Sequence, residues 1–332
     1  MKRRLIVSAV ALVLVGVAFG VVLPRLANYG DVWRVVRGFS WPWLLALAGA
    51  TALNILTFGP PWTTALPGLG FLQSLQLTQE STAVTLVVPG GAPLGMGVSY
   101  GMLRSWGFGS ADVGRAVALT GIWSQLSTFF FPIVGALAVA VEGKGGTSLR
   151  LVAIVGGGLF AAGVALFVAA LWREGPARWL HAVASFVASA ARRLRRREPV
   201  AWSREGFDRF RRETVALLRE RWPSLTIATL ANQLTGWLVL DLSLRASGIG
   251  LHDVSIADSF AAWSVARLIT SLPLTPGGLG FVELGLTGLL VGFGASSAKA
   301  VAAVLAYRVL SIVPTLLLGL IGAMIPARRR GL

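Results

Sequence analysis

Cysteine is absent from the 332-residue sequence, and histidines are scarce. Without cysteine the chain has no disulfide, no thiolate zinc site and no cysteine nucleophile. The two histidines, His181 and His252, lie far apart and do not by themselves predict a metal site. The sequence has no Asp-x-Asp motif, histidine cluster or Ser–His arrangement. We therefore expect no catalytic site, no metal and no cofactor, so the chain is not expected to be an enzyme.

Charge is also scarce. Charged residues make up 13% of the chain and hydrophobic residues 55%, whereas soluble proteins carry about 25% charged residues. Several segments without Asp, Glu, Lys or Arg approach or exceed the roughly 18–20 residues that cross a hydrocarbon core. These segments are Leu5–Leu23, Ala116–Val141, Leu151–Trp172, Trp222–Leu240 and Val309–Ala327. The pattern predicts an all-α integral membrane protein.

The formal net charge of +16 comes from basic residues at the ends of apolar segments. Such Lys and Arg residues are typical of the cytoplasmic side of a membrane, where they set the orientation of the spans. The alternative interpretation is that they contact anionic lipid headgroups. Nucleic acid is not expected as a partner, because the basic residues lie beside predicted spans. Residues 173–221 hold 13 arginines and 6 acidic residues. We expect 173–222 to form two cytoplasmic amphipathic helices joined near Glu198-Pro199, because apolar residues recur there at helical spacing.

Two apolar segments, Phe71–Trp106 and Asp253–Gly294, are interrupted by a proline followed by two glycines. Proline removes a helix donor and paired glycines weaken what remains. We expect each segment to form a re-entrant hairpin of two half-helices, because broken backbone at membrane depth must be buried or line a cavity. In the first segment the half-helices are Leu72–Val88 and Pro93–Ser105. A simple kink in an ordinary span is the alternative. The breaks are Val88-Pro89-Gly90-Gly91 and Leu274-Thr275-Pro276-Gly277-Gly278.

The landmarks around the two breaks recur in the same order, which indicates an internal duplication of about 71–141 and about 253–326. After Pro-Gly-Gly come Gly107-Phe108-Gly109 or Gly292-Phe293-Gly294, then Arg115 or Lys299 before Ala-Val-Ala, then Pro132 or Pro314. Counting sides from a cytoplasmic N-terminus gives six full spans and two hairpins that enter from opposite sides. Pro60 and Pro61 are expected to end the second span. The predicted spans are Leu5–Leu23, Trp41–Gly59, Asp112–Val141, Leu151–Trp172, Trp222–Ala246 and Ser297–Pro326. The C-terminus is then also cytoplasmic. Inverted repeats with broken helices are typical of secondary transporters.

Charged residues within membrane segments are costly, so they are usually paired or functional. Glu283 stands about two turns into the second half-helix, between Arg267 on the incoming arm and Arg308 in the last span. Either the pair locks the hairpin to that span, or an arginine binds a lipid phosphate while the glutamate tunes it or binds a cationic group. The N–H groups that follow Gly90-Gly91 and Gly277-Gly278 also suit an anion.

The segment from Thr275 to Glu283, together with Arg267 and Tyr307-Arg308, resembles the lysylphosphatidylglycerol synthase transmembrane-domain family, also called flippase-like. The first half, with Tyr100 and Leu103-Arg104, is similar to the first half of that family. Many members have Gly-Glu after the first break, whereas this chain has Ala92-Pro93-Leu94-Gly95.

The resemblance implies lipid translocation. Some members carry aminoacylated phosphatidylglycerol, and others are linked to polyprenyl-linked sugar pathways. Full-length synthases add a soluble aminoacyl-transferase domain, which we do not expect in a single membrane domain that ends at Leu332. The expected substrate-binding residues are Gly90, Gly91, Arg104, Arg267, Pro276, Gly277, Gly278, Glu283, Tyr307 and Arg308.

The expected function is therefore a flippase-like transporter of the bacterial cytoplasmic membrane. It would move an aminoacylated phospholipid or a polyprenyl-phosphate-linked substrate through a midplane cavity. A non-transporting scaffold for a lipid-modifying or glycosyl-transferring enzyme is the alternative, and an enzyme acting on polyprenyl phosphate is the third. Membrane lipids are the expected partners, with a homo-oligomer or a membrane enzyme also compatible. A hydrophilic cavity between the hairpins favours transport, and a packed dry interface favours the scaffold.

Overall fold

The computed structural model describes residues 33–34, 37–87, 92–143, 147–172, 204–271 and 276–324. These ranges consist of helices and turns, without β-strands, which confirms the all-α prediction. The first predicted span, Leu5–Leu23, lies outside the described residues, as does the first predicted amphipathic helix. The helices are α1 Trp41–Thr57, α2 Gly59–Ala65, α3 Phe71–Val87, α4 Ala92–Ser105, α5 Ser110–Val141, α6 Thr147–Trp172, α7 Arg204–Ala246, α8 Ile256–Ser271, α9 Phe281–Phe293 and α10 Ser297–Met324.

Three described stretches are long and apolar enough to cross a membrane: Trp41–Ala65, Ser110–Val141 and Ser297–Met324. They coincide with the second, third and sixth predicted spans. The protein is therefore an integral membrane protein. The described apolar part of α6, Ile154–Ala165, is shorter.

The second span extends further than the sequence predicted. Pro60 and Pro61 were expected to end it near Gly59, but both lie in the first turn of α2, which continues the apolar stretch to Ala65. Proline is tolerated in a first helical turn because its missing N–H has no intrahelical acceptor there. Phe58, between the two helices, keeps a helical backbone with φ −68° and ψ −27°, and its N–H bonds to the Ile55 carbonyl at 3.2 Å.

Helix α7 joins two elements that the sequence predicted as separate. The second amphipathic helix and the fifth span, Trp222–Ala246, form one 43-residue helix with Pro223 inside it. The apolar half of α7 is not among the three span-like stretches. Polar residues such as Asn232 and Gln233 interrupt it.

The chain divides into two compact units, residues 1–153 with 225–332, and residues 154–224. The features that position the site all belong to the first unit. Both interrupted segments form helix pairs there, α3 with α4 and α8 with α9, and a 3₁₀ turn at Pro276–Gly278 precedes α9. Helices α3 and α4 approach closely at Gly95, where an added Cβ would lie 2.7 Å from the Ser81 carbonyl oxygen.

Each interrupted segment packs on the long helix that follows the other one. Helix α3 of the first segment packs on α10, and α8 of the second segment packs on α5. The Gln76 amide donates to the Gly322 carbonyl at 3.0 Å, so the start of α3 lies beside the end of α10. The Ser255 hydroxyl donates to the Glu142 carboxylate at 2.7 Å, so the start of α8 lies beside the end of α5. Small residues allow the close contact: a Cβ at Gly135 would lie 2.8 Å from the α8 backbone.

The turns after α4 and α9 have the same backbone geometry. Gly107 and Gly294 have positive φ values of 91° and 128°. In both turns the next residue donates to the carbonyl five positions back, at 3.2 and 3.0 Å. Each glycine stands 18 residues after the proline of its Pro-Gly-Gly. The shared spacing and turn geometry align Gly107 with Gly294 rather than with Gly292, which lies inside α9.

A buried apolar cluster packs the second hairpin against α5, α7 and α10. Phe131 of α5, Leu240 of α7, Trp263 of α8 and Leu286 of α9 belong to it, and all are at most 4% exposed. Phe131 meets the Phe260 ring edge-on with centroids 5.5 Å apart. The core therefore fixes α8, whose last turns reach the site described next.

Candidate functional site

A cavity of about 270 Å³ lies beside α3 and α4, the two helices of the first interrupted segment. Residues of α3, α4, α5 and α7 form most of its lining, with Arg267 of α8 and the α1–α2 junction completing it. Its volume lies just below the range of small-molecule sites, which starts at about 300 Å³. The cavity therefore has room for a polar headgroup and not for a whole lipid.

The polar lining comes from helix faces with regular spacing. Helix α3 contributes Thr78, Ser81, Thr82 and Thr85, at positions i, i+3, i+4 and i+7. Residues with this spacing share one face of a helix. Helix α7 repeats the pattern with Thr229, Asn232 and Gln233, and α5 does so with Thr120 and Ser124. Three helices thus turn a hydroxyl or amide stripe towards one space.

Hydrogen bonds hold the cavity walls together. The Asn54 amide of α1 donates to the Asn232 carbonyl at 3.1 Å and to the Thr235 hydroxyl at 3.0 Å. The Trp123 indole of α5 donates to the Thr226 hydroxyl of α7 at 2.9 Å. Because α1 and α5 are both bonded to α7, the polar stripes keep their relative positions.

Arg267 is the charged residue of the cavity lining. It lies one turn before the end of α8 and is half-buried. Its Nε is buried without a hydrogen-bond partner. None of the ion pairs among the described residues includes it. The Tyr307 phenol lies close enough to interact with it electrostatically.

Glu283 and Arg308 form a separate, closed arrangement. Arg308 Nε donates to Glu283 Oε1 at 2.5 Å, and the two side chains are only 8% and 6% exposed. The other oxygen of Glu283 accepts a hydrogen bond from the Gly280 N–H at 2.6 Å. Both carboxylate oxygens of Glu283 are thus engaged at the start of α9. This geometry matches the predicted lock between the hairpin and the last span. Neither residue lines the cavity.

The second break contacts the end of the first hairpin's incoming arm. Gly277 has a φ of 58°, and its carbonyl accepts a 2.8 Å bond from Arg308 Nη2. A Cβ at Gly277 would lie 2.9 Å from the Leu86 side chain and 3.2 Å from the Leu86 carbonyl oxygen. Gly278 is also left-handed, with a φ of 69°. Only a residue without a side chain fits this contact.

The other predicted site residues are dispersed. Gly90 and Gly91 lie outside the described residues. Arg104 is exposed and donates to the Phe108 carbonyl at 2.6 Å, so it caps the end of α4 away from the cavity lining. Tyr307 packs against the apolar cluster, and Pro276 begins the 3₁₀ turn.

The hydroxyl and amide stripes were missed by the sequence reasoning, which weighed formal charges in the spans. Their signal was present: Asn232 and Gln233 interrupt a span, and α3 carries hydroxyl residues at helical spacing. Within the described ranges no group of three or more His, Asp or Glu side chains could hold a metal ion. The site can thus form hydrogen bonds and compensate one anion.

The fold and cavity define a class of helical membrane proteins whose interrupted helices adjoin a polar internal site. The sequence identifies the family: residues 9–319 match the lysylphosphatidylglycerol synthase TM region, and the chain belongs to this family. The predicted resemblance is confirmed. No curated protein matches the chain in sequence.

Proposed function

We propose that the chain binds the polar headgroup of a membrane lipid in this cavity and carries it across the bilayer. The lipid's acyl chains remain in the surrounding hydrocarbon, because the cavity is too small to hold them. The observation that carries the proposal is Arg267, an arginine without an ion-pair partner among the described residues, at a polar cavity of a membrane-spanning unit. An ionisable residue within the membrane usually marks a substrate path.

The packing exchange between the halves supports a transporter with two re-entrant hairpins. Helix α5 follows the first hairpin and ends beside the start of the second, at Glu142 and Ser255. Helix α10 follows the second hairpin and ends beside the start of the first, at Gln76 and Gly322. The two hairpins would then open towards opposite faces of the membrane. Such inverted repeats allow the two sides to open in alternation around one site.

The character of the cavity favours transport over the scaffold alternative. A scaffold needs a packed interface, whereas this space is open and ten of the eighteen residues that line it carry a hydroxyl or amide side chain. The proposal assigns these groups to binding and passage rather than to catalysis. The proposal also includes the cytoplasmic membrane of a bacterium as the location and both termini in the cytoplasm. This orientation puts the arginine-rich residues 173–221 in the cytoplasm, where basic loops are enriched.

Lipid scrambling in liposomes tests the proposal. Purified wild-type protein is expected to move a fluorescent phospholipid between leaflets, and Arg267→Gln to slow this movement roughly 10- to 100-fold, as for loss of a charged hydrogen bond. Arg212→Gln is the matched control, because Arg212 is an exposed arginine of α7 outside the cavity lining. Equal rates for wild type, Arg267→Gln and protein-free liposomes would contradict transport through this site.

A further inference from the structure

The charge inventory of the cavity restricts the headgroup it can bind. Arg267 contributes a cation, and no lining residue among those described carries a carboxylate. The buried carboxylate of Glu283 is already bonded to Arg308 and to the Gly280 N–H. An uncompensated cation is unfavourable in a low-dielectric environment, so a bound anion would stabilise the site.

The hydroxyl groups of the lining restrict the headgroup further. Thr78, Thr85, Thr120 and Thr229 each donate their proton to the main-chain carbonyl four residues earlier, at 2.8–2.9 Å. A hydroxyl whose proton is engaged still has lone pairs that accept hydrogen bonds. The threonine hydroxyls therefore present acceptors, the side-chain amides of Asn232 and Gln233 present both donors and acceptors, and the guanidinium of Arg267 presents donors.

We propose that the headgroup is a phosphate ester of a polyol, such as phosphoglycerol or a glycosyl phosphate, and that a cationic aminoacylated headgroup is rejected. This inference rests on the proposed function, whose site it uses. Phosphate oxygens accept from Arg267, and the hydroxyl groups of the polyol donate to the threonine oxygens. The donor and acceptor groups of the cavity and of such a headgroup are complementary.

Charge decides against the aminoacylated headgroup. Hydroxyl oxygens could accept hydrogen bonds from an ammonium group, but no lining carboxylate within the described residues compensates its charge. Two like charges ~6 Å apart at an effective dielectric constant of ~20 repel enough for roughly a 100-fold difference in affinity. An ammonium beside Arg267 therefore weakens binding even where it finds acceptors.

Native mass spectrometry of the full chain in detergent micelles tests this selectivity. The probes are phosphatidylglycerol and lysyl-phosphatidylglycerol with identical acyl chains. Wild type is expected to retain phosphatidylglycerol roughly 100-fold more strongly, and Arg267→Glu to reverse the preference. Equal retention of both lipids by wild type, or an unchanged preference in Arg267→Glu, would overturn the inference.

A second variant keeps the test informative if Arg267→Glu fails to fold. Thr82 lines the cavity on α3, and Thr82→Val removes its hydroxyl while preserving its shape. This variant is expected to weaken the binding of phosphatidylglycerol several-fold. The binding of phosphatidic acid, whose headgroup has no polyol, is expected to stay within about twofold of wild type. Equal weakening of both lipids would contradict recognition of the polyol.

Soluble sn-glycerol 1-phosphate separates the two sources of this chemistry. If the ligand is a lipid, a large excess of the soluble compound is expected to leave phosphatidylglycerol bound. Displacement at comparable concentration would support the polyol phosphate while contradicting a lipid substrate. Selective binding without scrambling would overturn transport alone, and scrambling that prefers lysyl-phosphatidylglycerol would overturn this inference alone.

Discussion

The buried pair of Glu283 and Arg308 offers the sharpest test of how the second hairpin is held. Glu283→Gln removes one charge but keeps an acceptor for the Gly280 N–H, which lies 2.6 Å from the carboxylate. Arg308→Met removes the other charge at similar length. Each single variant leaves one buried charge without its partner. The double variant leaves neither charge.

The expected magnitudes follow from the burial of both side chains, which are 8% and 6% exposed. Breaking a buried pair costs about 3–5 kcal/mol, whereas replacing both partners is often near neutral. The double variant also loses the 2.8 Å bond from Arg308 to the Gly277 carbonyl, worth about 1 kcal/mol. We therefore expect each single variant to lose about 3–5 kcal/mol and the double variant only about 1–2 kcal/mol.

Unfolding by sodium dodecyl sulfate in mixed micelles, followed by tryptophan fluorescence, measures these free energies. The four proteins of the cycle give the coupling energy of the pair directly. If the losses of the single variants simply add in the double variant, the pair does not lock the hairpin. If Glu283→Gln abolishes lipid retention at unchanged stability, Glu283 belongs to the ligand site and the assignment made here is wrong.

Three further predictions concern the packing and the orientation of the halves. Gly277→Ala is expected to lower the free energy of unfolding by about 1–3 kcal/mol because of its φ of 58°, and unchanged stability in the same micelles would contradict the strained contact. Gly135→Ala is expected to cost about 1–3 kcal/mol, since the added Cβ would lie 2.8 Å from the Ala261 Cα; a neutral result would contradict the close packing of α5 on α8. Cysteines introduced at the exposed residues Ser110 and Ser297 are expected to react with an impermeant maleimide from opposite sides of the membrane. Labelling of both from one side would refute the inverted arrangement.

The interrupted helices could be predicted from the sequence because proline and glycine act locally. The predicted half-helices Leu72–Val88 and Pro93–Ser105 end within one residue of α3 and α4. The second span was less predictable, since Pro60 and Pro61 end a helix or begin one depending on their position in it. Here they begin α2.

The cavity could not be predicted because it depends on tertiary contacts. Arg267 and Arg308 are equivalent candidates in the sequence, and only packing decides which of them pairs with Glu283. The structure gives that place to Arg308 and turns Arg267 towards the polar cavity. Neutral hydroxyl stripes are weak signals in a sequence, because threonine and serine are also common in ordinary transmembrane helices that pack together.

Photo-crosslinking of a lipid headgroup tests the central claim most directly. A phosphatidylglycerol analogue with a diazirine on its glycerol headgroup would be bound to the full chain, irradiated and mapped by peptide mass spectrometry. We predict crosslinks to the cavity faces of α3 and α7, near Thr82 and Asn232, and their loss in Arg267→Gln. Crosslinks confined to exposed apolar surfaces such as Leu45 and Leu317, unchanged in Arg267→Gln, would contradict a headgroup site in this cavity.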